Sequence, residues 1–213
     1  MIETEHTFNK VPTQERSEKA IQNIFEAARE LVAKNEPGQL SARSLAARSG
    51  YSIGSIYRYF EKIDDVFTHV FISRRKQVCW QLVEKIEAFP VDGSGQLMLE
   101  MIVDHSMQAW GSHNHAVIKL LARHFFKRAK EPEQFSTVID ILIPPLVELS
   151  RKNTTNTIKQ LSEFELQLCL RALQAAVRSP FMEGDPKAGN QEHWDIVYRI
   201  GLSFFIQPGH DIN

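Results

Sequence analysis

Much of what a chain of 213 residues can carry is missing from this one. No run approaches the roughly 18 apolar residues needed to cross a bilayer, and the N-terminal Met-Ile-Glu-Thr-Glu-His lacks the basic and then apolar regions of a signal peptide. Only two cysteines occur, Cys79 and Cys169, both inside helical patterns and without Cys-x-x-Cys spacing. That usage favours buried free thiols in a reducing compartment over a disulfide. Together these features point to a cytoplasmic protein with no membrane partner. No stretch alternates apolar and polar residues at period two over a useful length, so strands are not expected. Repeats and low-complexity tracts are also lacking. Chemistry-bearing motifs are equally scarce: there is no Ser-His-Asp arrangement, paired-carboxylate motif or glycine-rich phosphate loop. His113 and His115 flank Asn114, but an i, i+2 spacing at a helix start does not converge on one ion. The chain reads as a non-enzyme without metal or cofactor.

A strong net charge is missing too. The 25 basic and 26 acidic residues leave −1, which argues against indiscriminate coating of nucleic acid. The distribution is uneven, however. Between Ser41 and Lys62 stand Arg43, Arg48, Arg58 and Lys62 against Glu61 alone, whereas from Ile63 onward 16 basic residues face 18 acidic ones. A basic patch on a near-neutral body suits a protein that grips one short DNA site.

What is present is helical periodicity. Residues 1–14 are polar and aperiodic and read as an arm. Ile21, Ile24, Phe25, Ala28, Leu31 and Val32 then follow the i, i+3, i+4, i+7 rule and predict an amphipathic first helix, which Pro37-Gly38 ends. Ser41 predicts the cap of a second helix, with Leu45 and Ala46 inward, and Ser52 the cap of a third. One long helix is predicted from about 64 to 89, followed by others at about 95–111, 114–129, 133–151, 162–179 and 191–206. Pro144-Pro145 should kink or break the one at 133–151. The fold class is therefore all-α with about nine helices, a small domain over 15–62 and a larger one over 63–213.

The most informative stretch is Ser-Gly-Tyr-Ser-Ile-Gly-Ser-Ile-Tyr-Arg-Tyr-Phe, residues 49–60. It places a glycine turn between two short helices, the arrangement of a helix-turn-helix that lays its second helix in the DNA major groove. Ser55, Tyr57, Arg58 and Tyr59 are hydroxyls and a guanidinium, groups that hold phosphates and base edges. Gly50 should supply a positive φ for the turn. Gly54 is open between two readings: a backbone kept bare for close approach to DNA, or a frayed short helix. Ile56 and Phe60 should point inward. Ile53 is placed to touch a thymine methyl, Tyr57 to hold a phosphate or to pack with its hydroxyl reaching out, and Arg58 to take a phosphate or a guanine or to stay solvated.

Leu40-Ser-Ala-Arg-Ser-Leu-Ala-Ala-Arg-Ser-Gly-Tyr-Ser-Ile-Gly-Ser-Ile-Tyr-Arg-Tyr-Phe60, preceded by Ile24-Phe-Glu-Ala-Ala-Arg-Glu-Leu31, resembles the tetracycline-repressor (TetR) family of bacterial transcription regulators. The match covers roughly residues 17–71, about a quarter of the chain. The resemblance implies a homodimer with three N-terminal helices for a double-stranded DNA operator and a C-terminal helical bundle for a small-molecule effector and for dimerisation. It implies a regulator, a repressor or an activator, released from DNA when the effector enters. On matching positions it implies that Ser41 and Arg43 touch DNA at the start of the second helix. Ser52, Ile53, Gly54 and Ser55 match the start of the reading helix, and Tyr57 and Tyr59 match phosphate-contacting positions. One departure stands out. The family often has a lysine three residues after the aromatic that matches Phe60. Here that position is Ile63, and Lys62 stands one place earlier.

In the C-terminal half, Trp80, Met101, His105, Trp110 and Phe125 belong to an apolar supply suited to lining a pocket for a hydrophobic effector, although core is the commoner use for any one such residue. Trp194, Val197 and Tyr198 lie on one apolar stripe of the last helix. The preceding helix has two stripes, one with Leu166, Leu170 and Leu173 and another with Phe164, Leu168, Ala172 and Ala175. A helix apolar on two sides needs two partners, and the stripes of Leu166, Leu170, Leu173, Trp194, Val197 and Tyr198 are the expected dimer surface. The alternative function is a helical small-molecule-binding protein or enzyme with a vestigial DNA-binding head.

Overall fold

The computed structural model describes residues 15–34, 36–111, 117, 120–121 and 139–208. Among them the chain is helical and without strands; a single isolated antiparallel bridge joins Ile158 to Ile206. The helices are α1 (Glu15–Ala33), α2 (Ala42–Ser49), α3 (Ile53–Tyr59), α4 (Ile63–Glu87), α5 (Gly95–Gly111), α6 (Ile143–Lys152), α7 (Glu163–Glu183) and α8 (Gln191–Phe205), with a 3₁₀ turn at Pro37–Gln39. Of the helix expected at 114–129 only residues 117, 120 and 121 are described, all helical, and the first part of the one expected at 133–151 lies outside the described residues. So do Phe125, His113 and His115.

Packing divides the chain into two compact units. One holds α1, α2, α3 and α4 as far as Arg74; the other holds α4 from Arg75 together with α5 to α8. In the first unit the predicted inner face of α1 is buried from Ile21 to Val32, and Ile24, Ala28, Leu45, Ile56, Phe60 and Val66 have no exposed surface. Phe25 sits at the centre. Its ring meets Phe60 edge-on at 5.4 Å and stacks on His69 at 3.8 Å. Edge-to-face aromatic pairs add about 0.5–1.5 kcal/mol beyond area burial.

The second unit is built on α5, α7 and α8. Small residues bring α5 and α8 close: a Cβ at Gly201 would lie 2.5 Å from Leu99 Cδ1, and one at Gly95 2.7 Å from Ile206 Cδ1. The loop before α5 is held by a polar clasp. Asn153 Nδ2 donates to the carbonyls of Val91 (3.0 Å) and Gly93 (2.8 Å), and the Gly95 amide donates to Thr157 Oγ1 at 2.7 Å. Both cysteines are free and half-buried. Burial pushes the Cys79 thiol up to about 11, against the opposing charge of Arg75, so it stays protonated at neutral pH.

The prolines behave in two ways. At Pro144-Pro145 the expected break takes the form of a helix start: Ile141 and Leu142 turn, and both prolines fall in the first turn of α6, where a missing amide leaves no bond unmade. At Pro180 the expected end near residue 179 does not occur, and α7 runs on to Glu183 with Pro180 inside it. Proline has no amide to give the Ala176 carbonyl four residues back. That carbonyl instead accepts a hydrogen bond from His193 Nε2 at 3.0 Å, while His193 Nδ1 accepts from the Gly189 amide at 3.0 Å. Buried His193 is therefore held as the neutral Nε2–H tautomer between α7 and α8, with Trp194 Nε1 donating to the Gly189 carbonyl beside it.

This compensation makes a coupled prediction. Replacing His193→Phe keeps a ring but leaves the Ala176 carbonyl and the Gly189 amide without partners, and should cost about 2–4 kcal/mol in urea unfolding. Adding Pro180→Ala, which returns an amide to Ala176, should recover more stability in the His193→Phe background than in the parent. Equal effects in both backgrounds would show that His193 does not serve the proline.

Candidate nucleic-acid interface

The surface expected to read DNA is assembled by two caps and a turn. Ser41 Oγ accepts from the Ser44 amide at 3.2 Å and starts α2; Ser52 Oγ accepts from the Ser55 amide at 3.0 Å and starts α3. Between them Gly50 takes φ 77°, a left-handed conformation that glycine enters without Cβ strain, and its amide closes α2 on the Ala46 carbonyl. Each cap also meets a second hydroxyl. Ser41 Oγ donates to Ser44 Oγ at 3.0 Å, and the Ser52 and Ser55 hydroxyls are 2.8 Å apart.

Because Ile56 and Phe60 are fully buried, the opposite side of α3 faces outward. Ile53 and Tyr57 are 42% and 43% exposed, Gly54 and Arg58 are also exposed, and Ser55 and Tyr59 are half-buried. Arg58 folds back along its neighbour: Nη2 donates to the Tyr59 hydroxyl at 3.0 Å, and the guanidinium carbon lies 5.1 Å from the ring centroid. The two side chains thus present one combined donor surface. On α2, Arg43 is exposed, and no carboxylate among the described residues pairs with it. Ser41 is half-buried.

The basic patch is weaker than its residue count suggests. Glu30 of α1 pairs with Arg48, and this hydrogen bond and charge raise the pKa of the guanidinium. Lys62 Nζ lies 3.8 Å from Glu61 Oε1. Arg43 and Arg58 are the cations left to a polyanion. The Lys62 amide donates to Asp65 Oδ2 at 3.2 Å, so this corner is organised as the start of α4, with Lys62 exposed just ahead of it.

Residues 24–70, which span this helix-turn-helix, match the family model of bacterial regulatory proteins of the tetR family. Over those residues the chain is similar to the tetR family. Solved structures agree in fold. A TetR transcriptional regulator from Rhodococcus sp. RHA1 superposes with a TM-score of 0.54 at 14% identity, over 88% of this chain and 97% of that one. A tetR-family regulator from Streptomyces coelicolor gives 0.53 at 14%, over 88% and 79%. A proposed transcriptional regulator from Saccharomonospora viridis, solved in complex with choline, gives 0.59 at 13%, over 89% and 99%. At these identities the likeness establishes the fold. No curated protein matches the sequence significantly.

The remaining expected site residues part company. His105 is buried and its Nε2 donates to the Val78 carbonyl at 2.9 Å. Met101 is half-buried against the core, and Trp110 stacks on Phe181 at 5.1 Å. Trp80, expected among interior side chains, is instead 56% exposed, because the apolar face of α4 here is that of Leu82, Val83 and Ile86. The dimer assignment needs correction. Leu166, Leu170, Leu173, Trp194 and Val197 are 1–6% exposed in the core of their own unit and are not available to a second subunit. Tyr198 is half-buried, with its hydroxyl donating to Glu100 Oε1 at 3.5 Å. The stripe left outside is the other one: Phe164, 67% exposed, and Leu168 on α7, with Ile196 on α8. Among the described residues no group of His, Cys, Asp or Glu is arranged to hold a metal, and no helix is long and apolar enough to cross a membrane.

If the caps set the reading surface, Ser52→Ala should lower stability by about 1 kcal/mol, and slow amide exchange should be lost first at Ser55 and Ile56, whose amides bond to Ser52. Unchanged exchange there would mean that tertiary burial of Ile56 alone maintains α3.

Proposed function

We propose that this protein is a dimeric transcriptional repressor that leaves its operator when a small, largely apolar effector enters the second unit. The observation carrying this reading is the outward face of α3, where Ile53, Tyr57 and Arg58, the last bonded to half-buried Tyr59, stand exposed on a capped helix rotated by two buried residues. Ser41 and Arg43 extend that face onto α2, and Ser52, Gly54, Ser55 and Lys62 complete the surface. Tyr57, Tyr59 and Arg43 hold phosphates, Ile53 meets a thymine methyl, and Arg58 contributes a phosphate or guanine contact. With few strong base donors, part of the sequence preference comes from DNA shape.

A dimer is required by groove geometry, since two reading helices must sit about 34 Å apart to enter successive major grooves. The exposed Phe164, Leu168 and Ile196 supply the apolar face for it. Met101, Met107 and the Trp110–Phe181 stack supply adaptable and aromatic walls for the effector. The choline held by the Saccharomonospora viridis protein is a small cation of the kind aromatic faces hold. Release follows if the effector favours a spacing of the two heads that misses the grooves, which is a shift of population. The protein acts on DNA in the cytoplasm and performs no catalysis.

The test is binding to duplexes selected by the full-length protein from a random-sequence pool. Affinity should fall by about a thousandfold between 50 and 200 mM salt if six or more phosphates are contacted. The double variant Arg43→Ala, Tyr57→Phe should bind at least tenfold more weakly with its melting temperature preserved. Unaltered affinity in that variant would remove these residues from the interface.

The dimer face has its own check. Phe164→Glu with Leu168→Glu should turn the protein monomeric in sedimentation, whereas the single-chain core remains folded. A dimer that survives both charges must use another surface.

A further inference from the structure

Six of the described glycines have reasons that can be read from the chain's own atoms, and Gly54, inside a helix, does not. Gly50, Gly184 and Gly189 adopt φ of 77–80°, where a side chain is strained. Gly93, Gly95 and Gly201 would each place a Cβ 2.5–2.7 Å from Phe89, Ile206 or Leu99. Gly54 has neither reason. It is the second residue of α3 and is exposed, its φ is not left-handed, and the nearest atom to an added Cβ is Ser52 Oγ at 4.0 Å. Glycine within a helix is nonetheless less stable than alanine, because it surrenders more backbone freedom. The chain therefore keeps a destabilising residue at a position where its own fold leaves room for a larger one.

The neighbourhood says where the reason lies. Gly54 shares a helix face with Tyr57 and Arg58, three and four residues on, and follows Ile53. It is the bare patch in the middle of the exposed surface. A frayed helix does not account for it, since α3 is capped by Ser52 and its far end is closed by the Phe60 amide on the Ile56 carbonyl.

We infer that Gly54 sets how deeply α3 enters its target: the exposed backbone at this residue makes van der Waals contact with the edge of the DNA groove, and glycine is retained there at the expense of stability. This rests on the DNA-binding reading above and adds to it a depth gauge and a trade-off of opposite sign in two measurements. A methyl at residue 54 should improve the free protein and obstruct the bound one. Phosphate contacts from Arg43 and Tyr57 are not removed by such a methyl, so the number of counterions released should change little.

The experiment uses full-length wild type, Gly54→Ala, and Gly38→Ala as a control. Gly38 also has open space around an added Cβ but lies in the 3₁₀ turn, outside α3. The probe is the duplex that wild type selects from a random-sequence pool. Gly54→Ala is expected to melt about 2–4 °C higher, to bind at least tenfold more weakly, and to keep the wild-type slope of log affinity against log salt. Gly38→Ala is expected to bind as wild type does. Equal or tighter binding by Gly54→Ala overturns the inference alone, provided that Arg43→Ala, Tyr57→Phe weakens binding to the same duplex. A lower melting temperature also overturns it, because the glycine then serves the fold. If wild type selects no duplex, the DNA reading falls and this inference falls with it.

Discussion

Everything proposed for the first unit depends on the burial of Ile56 and of Phe60, whose ring meets Phe25. Two side chains four residues apart define one side of a helix, and when both lose all contact with water the rotation of α3 is no longer adjustable. Each such burial is worth about 1.5–3 kcal/mol, which is large against the marginal stability of any domain. A helix of seven residues could not persist on propensity alone. It persists because a cap at Ser52 satisfies the Ser55 amide, a left-handed glycine brings the preceding helix to a stop, and the aromatic at its end is locked into the core. The outward presentation of Ile53, Gly54, Tyr57 and Arg58 is thus a consequence of what is hidden.

The electrostatics follow from the same economy. A strongly basic head would bind any duplex, and this head is not strongly basic: Glu30 takes up Arg48, and Lys62 stands close to Glu61. Exposed pairs of that kind add little stability in screened water, but they reduce the free positive charge facing a polyanion. On the face formed by α2 and α3 what remains is Arg43 and Arg58, the latter steered by the ring and hydroxyl of Tyr59. If this face reads DNA as proposed, so few free cations on it leave discrimination to fit. That places weight on small steric features such as an apolar tip at Ile53 and a bare backbone beside it.

How far the sequence could be read depended on whether the decisive partner was local. The Ser41 and Ser52 caps, the Gly50 turn, the inner face of α1 and the bounds of α5 follow from residues within one or two turns of each other, and all were legible. The head itself was legible because many spacing constraints coincide there. Partners distant in sequence were not. Nothing near Arg48 announces Glu30, 18 residues earlier. Nothing near Pro180 announces that His193 will supply the missing donor, so the helix was expected to stop at 179 and instead runs to Glu183. Trp80 was grouped with interior aromatics by residue type, yet rotation of α4 is set by Leu82, Val83 and Ile86, and the indole is left outside.

The two stripes of α7 show most directly where periodicity stops informing. Leu166, Leu170, Leu173 and Val177 recur at helical spacing, as do Phe164, Leu168, Ala172 and Ala175, and a period cannot say which set the chain uses for itself. The tertiary structure decides through the crossing with α8. His193 binds the Ala176 carbonyl, and Trp194 binds back to Gly189, so α8 meets α7 on the side of Val177. Once that contact is made, the leucine stripe is committed to the interior. The alternative stripe then exposes a phenylalanine and a leucine that a lone chain gains nothing by showing to water. The same hydrogen bond that repairs a proline therefore also ties together the two helices whose packing leaves Phe164 and Leu168 exposed.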